Sequence, residues 1–335
     1  MNNQTQKTLL VTGGAGYIGS HTVRMLADKG YKVIVLDNLV YGHKEAIVNK
    51  EVSLIIGDLG NKELVNKIFL ENKIDAVIHF AAYAFVGESV SNPSKYYQNN
   101  IAAPLNLLDV MMEHGCKKFI FSSTCATYGN PQYTPIDEKH PQNPINPYGQ
   151  SKLMLEKIIM DYQKAYGLEY VFLRYFNASG ASTDGLIGED HNPETHLIPL
   201  IIEAGMGKRS NITVFGADYD TPDGSGIRDY IHILDLGRAH LLAFEHLMNN
   251  GASLACNLGT GVGYSVKEVI NVVEQVTGLK IPVVIGDRRP GDPARLVANP
   301  QYAKDALGWE AEYKDLKDTV ATAWKWHSNS KQGKF

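Results

Sequence analysis

The stretch Thr8-Leu9-Leu10-Val11-Thr12-Gly13-Gly14-Ala15-Gly16-Tyr17-Ile18-Gly19 decides the fold. An apolar run of strand character meets a glycine cluster, and a helical pattern begins near Tyr17 and ends before Gly30. Gly14, Gly16 and Gly19 fit G-x-G-x-x-G, while Gly13, Gly16 and Gly19 give an evenly spaced variant. Glycines there permit a tight turn and close approach of the main chain to a pyrophosphate. The free N–H groups and positive dipole end of the following helix attract the same anion. A lone match carries little weight. Here a second strand, Lys32-Val33-Ile34-Val35-Leu36-Asp37, follows the helix and ends in an acid, which is the context the motif requires. Asp37 stands 18 residues after Gly19. A carboxylate at that point accepts hydrogen bonds from an adenosine ribose and repels a 2′-phosphate, so the expected cofactor is NAD rather than NADP.

Working outward, strand-like segments recur at 8–13, 32–37, 52–57, 75–81, 118–123 and 169–176. Helical patterns fall between them, near 17–29, 61–72, 93–114 and 147–166. That alternation predicts an α/β fold, a Rossmann-type doubly wound parallel sheet with helices on both faces. Ligands of such sheets bind at the carboxyl ends of the strands, and the chemically informative residues stand there. They are Gly13, Asp37, Asp58, Phe80-Ala81-Ala82, Ser122-Ser123-Thr124 and Tyr175-Phe176-Asn177. Beyond 177 the character changes. Gly180 to Pro193 is loop-rich, and short alternating pieces follow at 211–215 and 281–285. With 335 residues the chain exceeds a single core. The expectation is an NAD-binding domain over 1–177 and a smaller α/β substrate-binding cap over 178–335, with part of 228–260 returning to the first domain.

Composition excludes several classes. The chain is 44% hydrophobic and 20% charged with net charge −4, and its basic residues are dispersed, so neither nucleic acid nor an anionic membrane is an expected partner. It holds no run of about 18 apolar residues that could span a bilayer. Cys116, Cys125 and Cys256 show no C-x-x-C spacing and suit a reducing compartment. The first seven residues are polar and have no signal-peptide form, so a cytoplasmic protein is expected.

Pro147-Tyr148-Gly149-Gln150-Ser151-Lys152 supplies the chemistry. Four residues apart on a helix is one turn, so the phenol of Tyr148 and the ammonium of Lys152 share a face. A nearby positive charge lowers a phenol's pKa, and moving it from about 10 to about 7 takes roughly 4 kcal/mol. Alone, the pair reads as an exposed Tyr and a solvated Lys; beside a nucleotide-binding loop it reads as a general base and its electrostatic partner.

With the glycine loop, the Ser/Thr strand end and Tyr-x-x-x-Lys in order, the chain resembles the extended short-chain dehydrogenase/reductases. Within them it is most similar to the UDP-galactose 4-epimerase family, over nearly its whole length. The pieces that carry this include Val86-Gly87-Glu88-Ser89, Leu173-Arg174-Tyr175-Phe176-Asn177, Gly226-Ile227-Arg228-Asp229-Tyr230-Ile231-His232 and Arg288-Arg289-Pro290-Gly291-Asp292. The resemblance implies reversible inversion at C4 of a UDP-hexose with NAD kept bound, and a homodimer built on the helices near 93–114 and 147–166. Apolar residues there, Leu153, Leu155, Ile158, Ile159 and Met160, exceed one core-facing stripe. It implies Tyr148, Lys152 and Thr124 as catalytic residues. The expected cofactor contacts are Gly13, Gly16, Tyr17, Ile18, Gly19, Asp37, Asn38, Asp58, Leu59, Phe80, Ala81, Ala82, Asn99, Ser122, Tyr148, Lys152 and Tyr175. The expected UDP-sugar contacts are Thr124, Asn177, His196, Leu197, Thr213, Phe215, Arg228, Arg289, Asp292 and Leu296. A diphosphate calls for arginine, whose planar fork binds phosphate oxygens in pairs.

Two positions depart from the family pattern. Ala84 stands where the better-known epimerases carry a lysine near the cofactor, so that contact is lost. Leu296 stands where the family usually has a tyrosine or a small residue, a position associated with tolerance of an N-acetyl group. His191, Glu194 and His196 lack the H-E-x-x-H order that puts metal ligands on one helical face, and no metal is expected. A nucleotide-sugar dehydratase or decarboxylase would place an acid just after the threonine, where this chain has Cys125 and Ala126. Epimerases of UDP-pentoses or UDP-N-acetylhexosamines share the core chemistry and remain alternatives. An NAD-sensing module would not need Thr124, Tyr148 and Lys152 together.

Overall fold

The computed structural model describes residues 6–289, 292–329, 331 and 333–335, so Pro290 and Gly291 of the quoted arginine motif lie outside the described residues. In chain order the strands are β1 (Thr8–Thr12), β2 (Lys32–Asp37), β3 (Ser53–Ile56), β4 (Ala76–His79), β5 (Lys118–Thr124), β6 (Glu169–Tyr175) and β7 (Asn177–Ser179). They continue as β8 (Ile212–Phe215), β9 (Ile227–His232), β10 (Leu254–Leu258), β11 (Gly263–Ser265), β12 (Val283–Gly286) and β13 (Arg295–Leu296). The chain forms two compact units. One comprises residues up to Gly129, Gln142–Arg174 and Gly237–Cys256; the other comprises Asn130–Pro141, Tyr175–Leu236 and Asn257–Phe335.

The first unit is built on a seven-stranded sheet in the order β10-β6-β5-β4-β1-β2-β3. The pairs β1·β2, β1·β4, β2·β3 and β4·β5 are parallel, with Leu10 opposite Ile34 and Val11 opposite Ile78. The chain moves outward from β1 to β3 and then crosses to β4 on the far side of β1. The topological switch point of a Rossmann-type doubly wound sheet therefore falls at β1/β4. Apolar runs make the inner strands because both faces are covered: all five residues of β1 are buried, whereas the edge strand β3 is partly exposed. Leu10, Val77, Phe119 and Phe121 from the sheet pack with Leu107, Leu108, Leu155 and Ile159 from the helices. Each such side chain contributes about 1.5–3 kcal/mol on burial.

One expected element is not continuous. The segment read as a helix over 93–114 is Pro93–Tyr97 and Ala103–Glu113, joined by a π-helical turn at Gln98–Ala102. The extra residue turns Asn100 inward, where its side chain accepts from Tyr83 N at 2.9 Å and donates to Tyr83 O and Ser151 Oγ at 3.0 and 3.1 Å. Such bulges recur at functional sites.

In the second unit β9 is central, paired antiparallel with β11 and parallel with both β7 and β13. A separate parallel pair joins β8 and β12. Ile198, Ile201, Val214, Val269, Val273 and Val320 form its core. The helix Val266–Thr277 starts with a capping box between Ser265 and Glu268 and stops at Gly278, whose φ of 71° suits only glycine without strain. Relative to the boundaries expected from sequence, Asn130–Pro141 falls in this second unit. Ile136 bridges Ala298 there, and Asn257 Nδ2 donates to Ile136 O at 2.9 Å. No helix among the described residues is long and apolar enough to cross a membrane.

Candidate active site

The glycine loop joins β1 to the helix Tyr17–Asp28 in the first unit. Gly13 is the position that takes positive φ, 72°, and a Cβ there would lie 2.5 Å from Ala81 N. A Cβ at Gly19 would meet Gly13 O at 2.3 Å, which allows the helix to start tight against the loop. Gly16 differs, since a Cβ would approach nothing of the chain closer than 3.5 Å. The chain leaves the Gly16 backbone open to an approach from outside. The helix that begins after Gly16, with Tyr17 and Ile18, has no side-chain cap and no acid in its first turn. Its free N–H groups suit a pyrophosphate.

Asp37 closes β2. Its Oδ2 accepts from Ala15 N and its Oδ1 from Leu39 N, both at 2.9 Å, and burial raises its pKa against those two hydrogen bonds. It thus braces the loop from below in addition to any ribose it meets. Asn38 Nδ2 donates to Asp58 Oδ2 at 2.9 Å, and Leu59 beside it is buried. Phe80 N and Ala81 N both donate to Thr12 O at the end of β1, and Ala82 continues that turn. Asn99 Nδ2 donates to Asn100 Oδ1 in the π-helical turn. Near Ala84, the ammonium of Lys95 lies 4.1 Å from the Tyr83 ring and is paired with Glu88.

The reacting set stands at the end of β5 and the start of the helix Pro147–Tyr166. Asn146 caps that helix by accepting from Gly149 N at 2.8 Å, which fixes Tyr148 in its first turn. A Cβ at Gly149 would lie 2.5 Å from Ala126 O. Glycine is what lets this helix press against the turn following Thr124. Thr124 Oγ1 accepts from Ala126 N at 3.1 Å, and Tyr148 is only 9% exposed. Lys152, one turn further, is buried, donates to Ser122 O at 2.8 Å and lies 4.8 Å from the Phe121 ring centre. Burial pulls its pKa down to about 7, opposed by Glu156. His79, bonded to Thr12 Oγ1 at 2.7 Å, is pushed down to about 3 by burial and by Lys152, so it is neutral.

A supporting network was not visible in the sequence. Glu156 accepts from Arg174 Nε at 2.9 Å and Nη2 at 2.7 Å and from Ser123 Oγ at 2.6 Å, all buried. Arg174 Nη1 also donates to Tyr128 OH at 3.1 Å. The bidentate pair fastens the helix carrying Tyr148 and Lys152 to β5 and β6.

Apart from Thr124, the expected sugar-nucleotide residues belong to the second unit, as does Tyr175, which closes β6 half-buried. Arg228 on β9 donates to Ile227 O and pairs with Asp292. Leu296 on β13 lies directly opposite Arg228 in the strand register. The guanidinium of Arg289 stacks 3.8 Å from the Phe215 ring centre, and Thr213 precedes Phe215 by two on β8. Asn177 Nδ2 donates to Asp229 O at 2.9 Å. Asp229 itself is a buried hub accepting from Thr260 N and Oγ1, Gly261 N and Ala298 N. His196 caps the helix Leu197–Gly205, with its ring 2.7 Å from Glu189 Oε1 and 3.0 Å from Glu194 Oε1.

Comparison with known proteins identifies the family and the fold. Residues 9–259 match the NAD dependent epimerase/dehydratase family. The UDP-glucose 4-epimerase of Halalkalibacterium halodurans is 53% identical over 325 residues, 97% of each chain. A crystal structure of UDP-glucose 4-epimerase from Brucella ovis in complex with NAD superposes with a TM-score of 0.92 at 49% identity, covering 94% of this chain and 97% of that one. The UDP-glucose 4-epimerase of Bifidobacterium longum, solved with NAD+ and UDP, gives a TM-score of 0.93 at 43% identity over 98% of this chain and all of the other.

Proposed function

The chain belongs to the NAD dependent epimerase/dehydratase family, and from that premise we propose how its residues invert C4 of UDP-glucose and UDP-galactose. The observation that carries the reading is the buried set Thr124, Tyr148 and Lys152 at the switch-point end of the sheet, in a chain matched end to end by UDP-glucose 4-epimerases. The protein is an NAD-dependent isomerase that interconverts UDP-galactose and UDP-glucose through a 4-keto sugar.

A carbinol carbon with no acidic C–H cannot be inverted by simple proton removal; oxidation to a ketone and reduction from the other face makes it tractable. NAD supplies the oxidising and reducing equivalent and ends each turnover unchanged. Gly16 and the start of the Tyr17–Asp28 helix hold its pyrophosphate, and Asp37 accepts from its adenosine ribose. Tyr148 takes the 4-hydroxyl proton as general base and returns it as general acid. Thr124 hydrogen-bonds the reacting oxygen. Lys152 lowers the tyrosine pKa in its charged form and engages the nicotinamide ribose. The nucleotide of the substrate falls to Arg228, Arg289, Asp292, Asn177, Leu197, Thr213 and Phe215, and the cationic forks of the two arginines match diphosphate oxygens.

The homodimer has support on the Pro147–Tyr166 helix, though narrower than the sequence implied. Leu153, Leu155 and Ile159 are buried within their own unit, while Met154 and Met160 remain exposed. Those two methionines would form the apolar part of a helix-on-helix contact. Multi-angle light scattering giving twice the chain mass supports it, and a monomer at all concentrations removes it. We place the protein in the cytoplasm on its cysteine usage. The reaction itself is tested by incubating the purified protein with UDP-galactose and resolving UDP-glucose, while absorbance near 340 nm is followed. Steady accumulation of NADH would indicate a dehydrogenase instead.

A further inference from the structure

Four metal-ligating side chains converge in the loop before the helix Leu197–Gly205, apart from the residues given roles in hydride chemistry. Glu189, His191, Glu194 and His196 each bring one donor atom to within 4.8 Å of all the others. Nδ1 of His191 lies 3.2 Å from Glu189 Oε1, and Nδ1 of His196 lies 2.7 Å from it. Glu194 approaches the same two nitrogens at 3.7 and 3.0 Å. The sequence reading expected no metal because the order is not H-E-x-x-H. That order matters only where ligands must share a helical face, and here all four lie in irregular backbone or at a helix cap.

The second observation is at Glu189. It is 3% exposed, and among the described residues its Oε1 accepts no hydrogen bond although two imidazole nitrogens crowd it. A buried carboxylate oxygen left without a hydrogen bond is costly, and native folds rarely tolerate one. Four donor atoms gathered this closely, with His196 Nδ1 within reach of both Glu189 Oε1 and Glu194 Oε1, are placed as ligands of a common centre are. The surroundings hold the donors in place. Trp326 Nε1 donates to Glu189 O at 3.0 Å. Glu194 Oε1 bonds with Thr195 N, His196 N and His196 Nδ1, which leaves Oε2 for another partner. Asp190 turns away to Lys334 and does not join the set.

We propose that Glu189, His191, Glu194 and His196 form a divalent metal site, of a class that zinc fills best. Two imidazole nitrogens and two carboxylate oxygens make a four-donor N₂O₂ set, and zinc takes such ligands in tetrahedral array with no redox demand. With all four positions taken by protein, the ion is structural. It staples Glu189 and His191 in the loop to His196 at the head of the helix, and so fixes Leu197, the residue expected to line the sugar-nucleotide site.

The test uses the untagged full-length protein with its NAD. After exposure to a small molar excess of zinc sulfate and desalting, metal content is measured by inductively coupled plasma mass spectrometry. About one zinc per chain is expected for the unmodified protein. Retention should be lost in Glu189→Gln and His191→Ala and kept in Cys125→Ser, which controls for thiolate binding. Circular dichroism confirms that the variants fold. Should either fail to fold, the anomalous signal at the zinc edge from crystals of the unmodified protein decides: a peak among the four side chains supports the site. No retained zinc in the unmodified protein, equal retention in the folded Glu189 and His191 variants, or a zinc-soaked crystal without that peak overturns it.

Discussion

Lys152 Nζ donates to the main-chain oxygen of Ser122 across 2.8 Å, joining the helix that carries Tyr148 to the strand that ends in Thr124. The bond holds an ammonium where solvent does not reach, and that placement has an energetic cost readable in its titration. The folded protein holds the group near 7, well below the 10.5 of a free lysine. Between those values the unfolded chain binds the extra proton, so this group's penalty is largest below pH 7 and fades as pH climbs toward 10.5.

Lys152→Met should therefore gain stability, relative to the unmodified protein without NAD, most at pH 7 and least near pH 10. The full swing is on the order of 4 kcal/mol, less the value of the lost bond to Ser122. Urea midpoints of both proteins at three pH values check it. A difference independent of pH would show that Lys152 is not desolvated as described.

Tyr148→Phe should keep the fold and cofactor and lose at least about 100-fold in turnover, the usual scale of general acid–base catalysis. Near-normal turnover would remove the phenol from the reaction. The packing is undisturbed by this change, so a matching melting temperature is part of the expected result.

Arg174→Met leaves Glu156 buried with its two bonds to the guanidinium gone. Breaking one side of such a pair costs about 3–5 kcal/mol, while Arg174→Met combined with Glu156→Leu should recover much of that. Denaturation of the two single variants and the double variant gives the coupling. Additive losses would mean that the pair is not held together as the 2.7 and 2.9 Å contacts require.

Leu296 stands opposite Arg228 in the register of β13 on β9 and is half-buried. Leu296→Tyr should suppress turnover of the N-acetylated UDP-hexoses selectively, and Leu296→Ser should raise it, each by about 10- to 200-fold, the range of a pocket's shape discrimination. kcat/KM for both sugar pairs decides it. A uniform fall across all substrates would make Leu296 a packing residue only.

The reading of the sequence reached what local pattern can carry. The strands β1 to β6 were legible because apolar runs, buried on both faces in all but the edge strand β3, stop near glycines, acids and serines, and the glycine loop was legible because its context is contiguous. What escaped it depends on contacts distant in the chain. The π-helical turn around Asn100 adds one residue to an otherwise helical period, and nothing in the composition of Gln98–Ala102 marks it. Glu156 and Arg174 meet only after helix and strand have packed. β10 is five residues of no clear alternation, called into the sheet by its place beside β6. The cluster at Glu189 was weighed by a rule for helices, but its backbone is a loop.

The first unit takes its last strand from residues translated long after its glycine loop. Between Arg174 and Gly237 the chain builds β7, β8 and β9 of the other unit before it returns. A ribosome that has released everything up to Leu236 has therefore exposed a six-stranded sheet whose β6 edge still lacks β10. That edge is a row of open hydrogen-bonding groups, the kind of surface on which nascent chains stick to one another. The same threading means that no single cut yields either unit as an independent fragment. A chain shortened before Leu254 would keep every residue assigned to NAD and still be expected to aggregate.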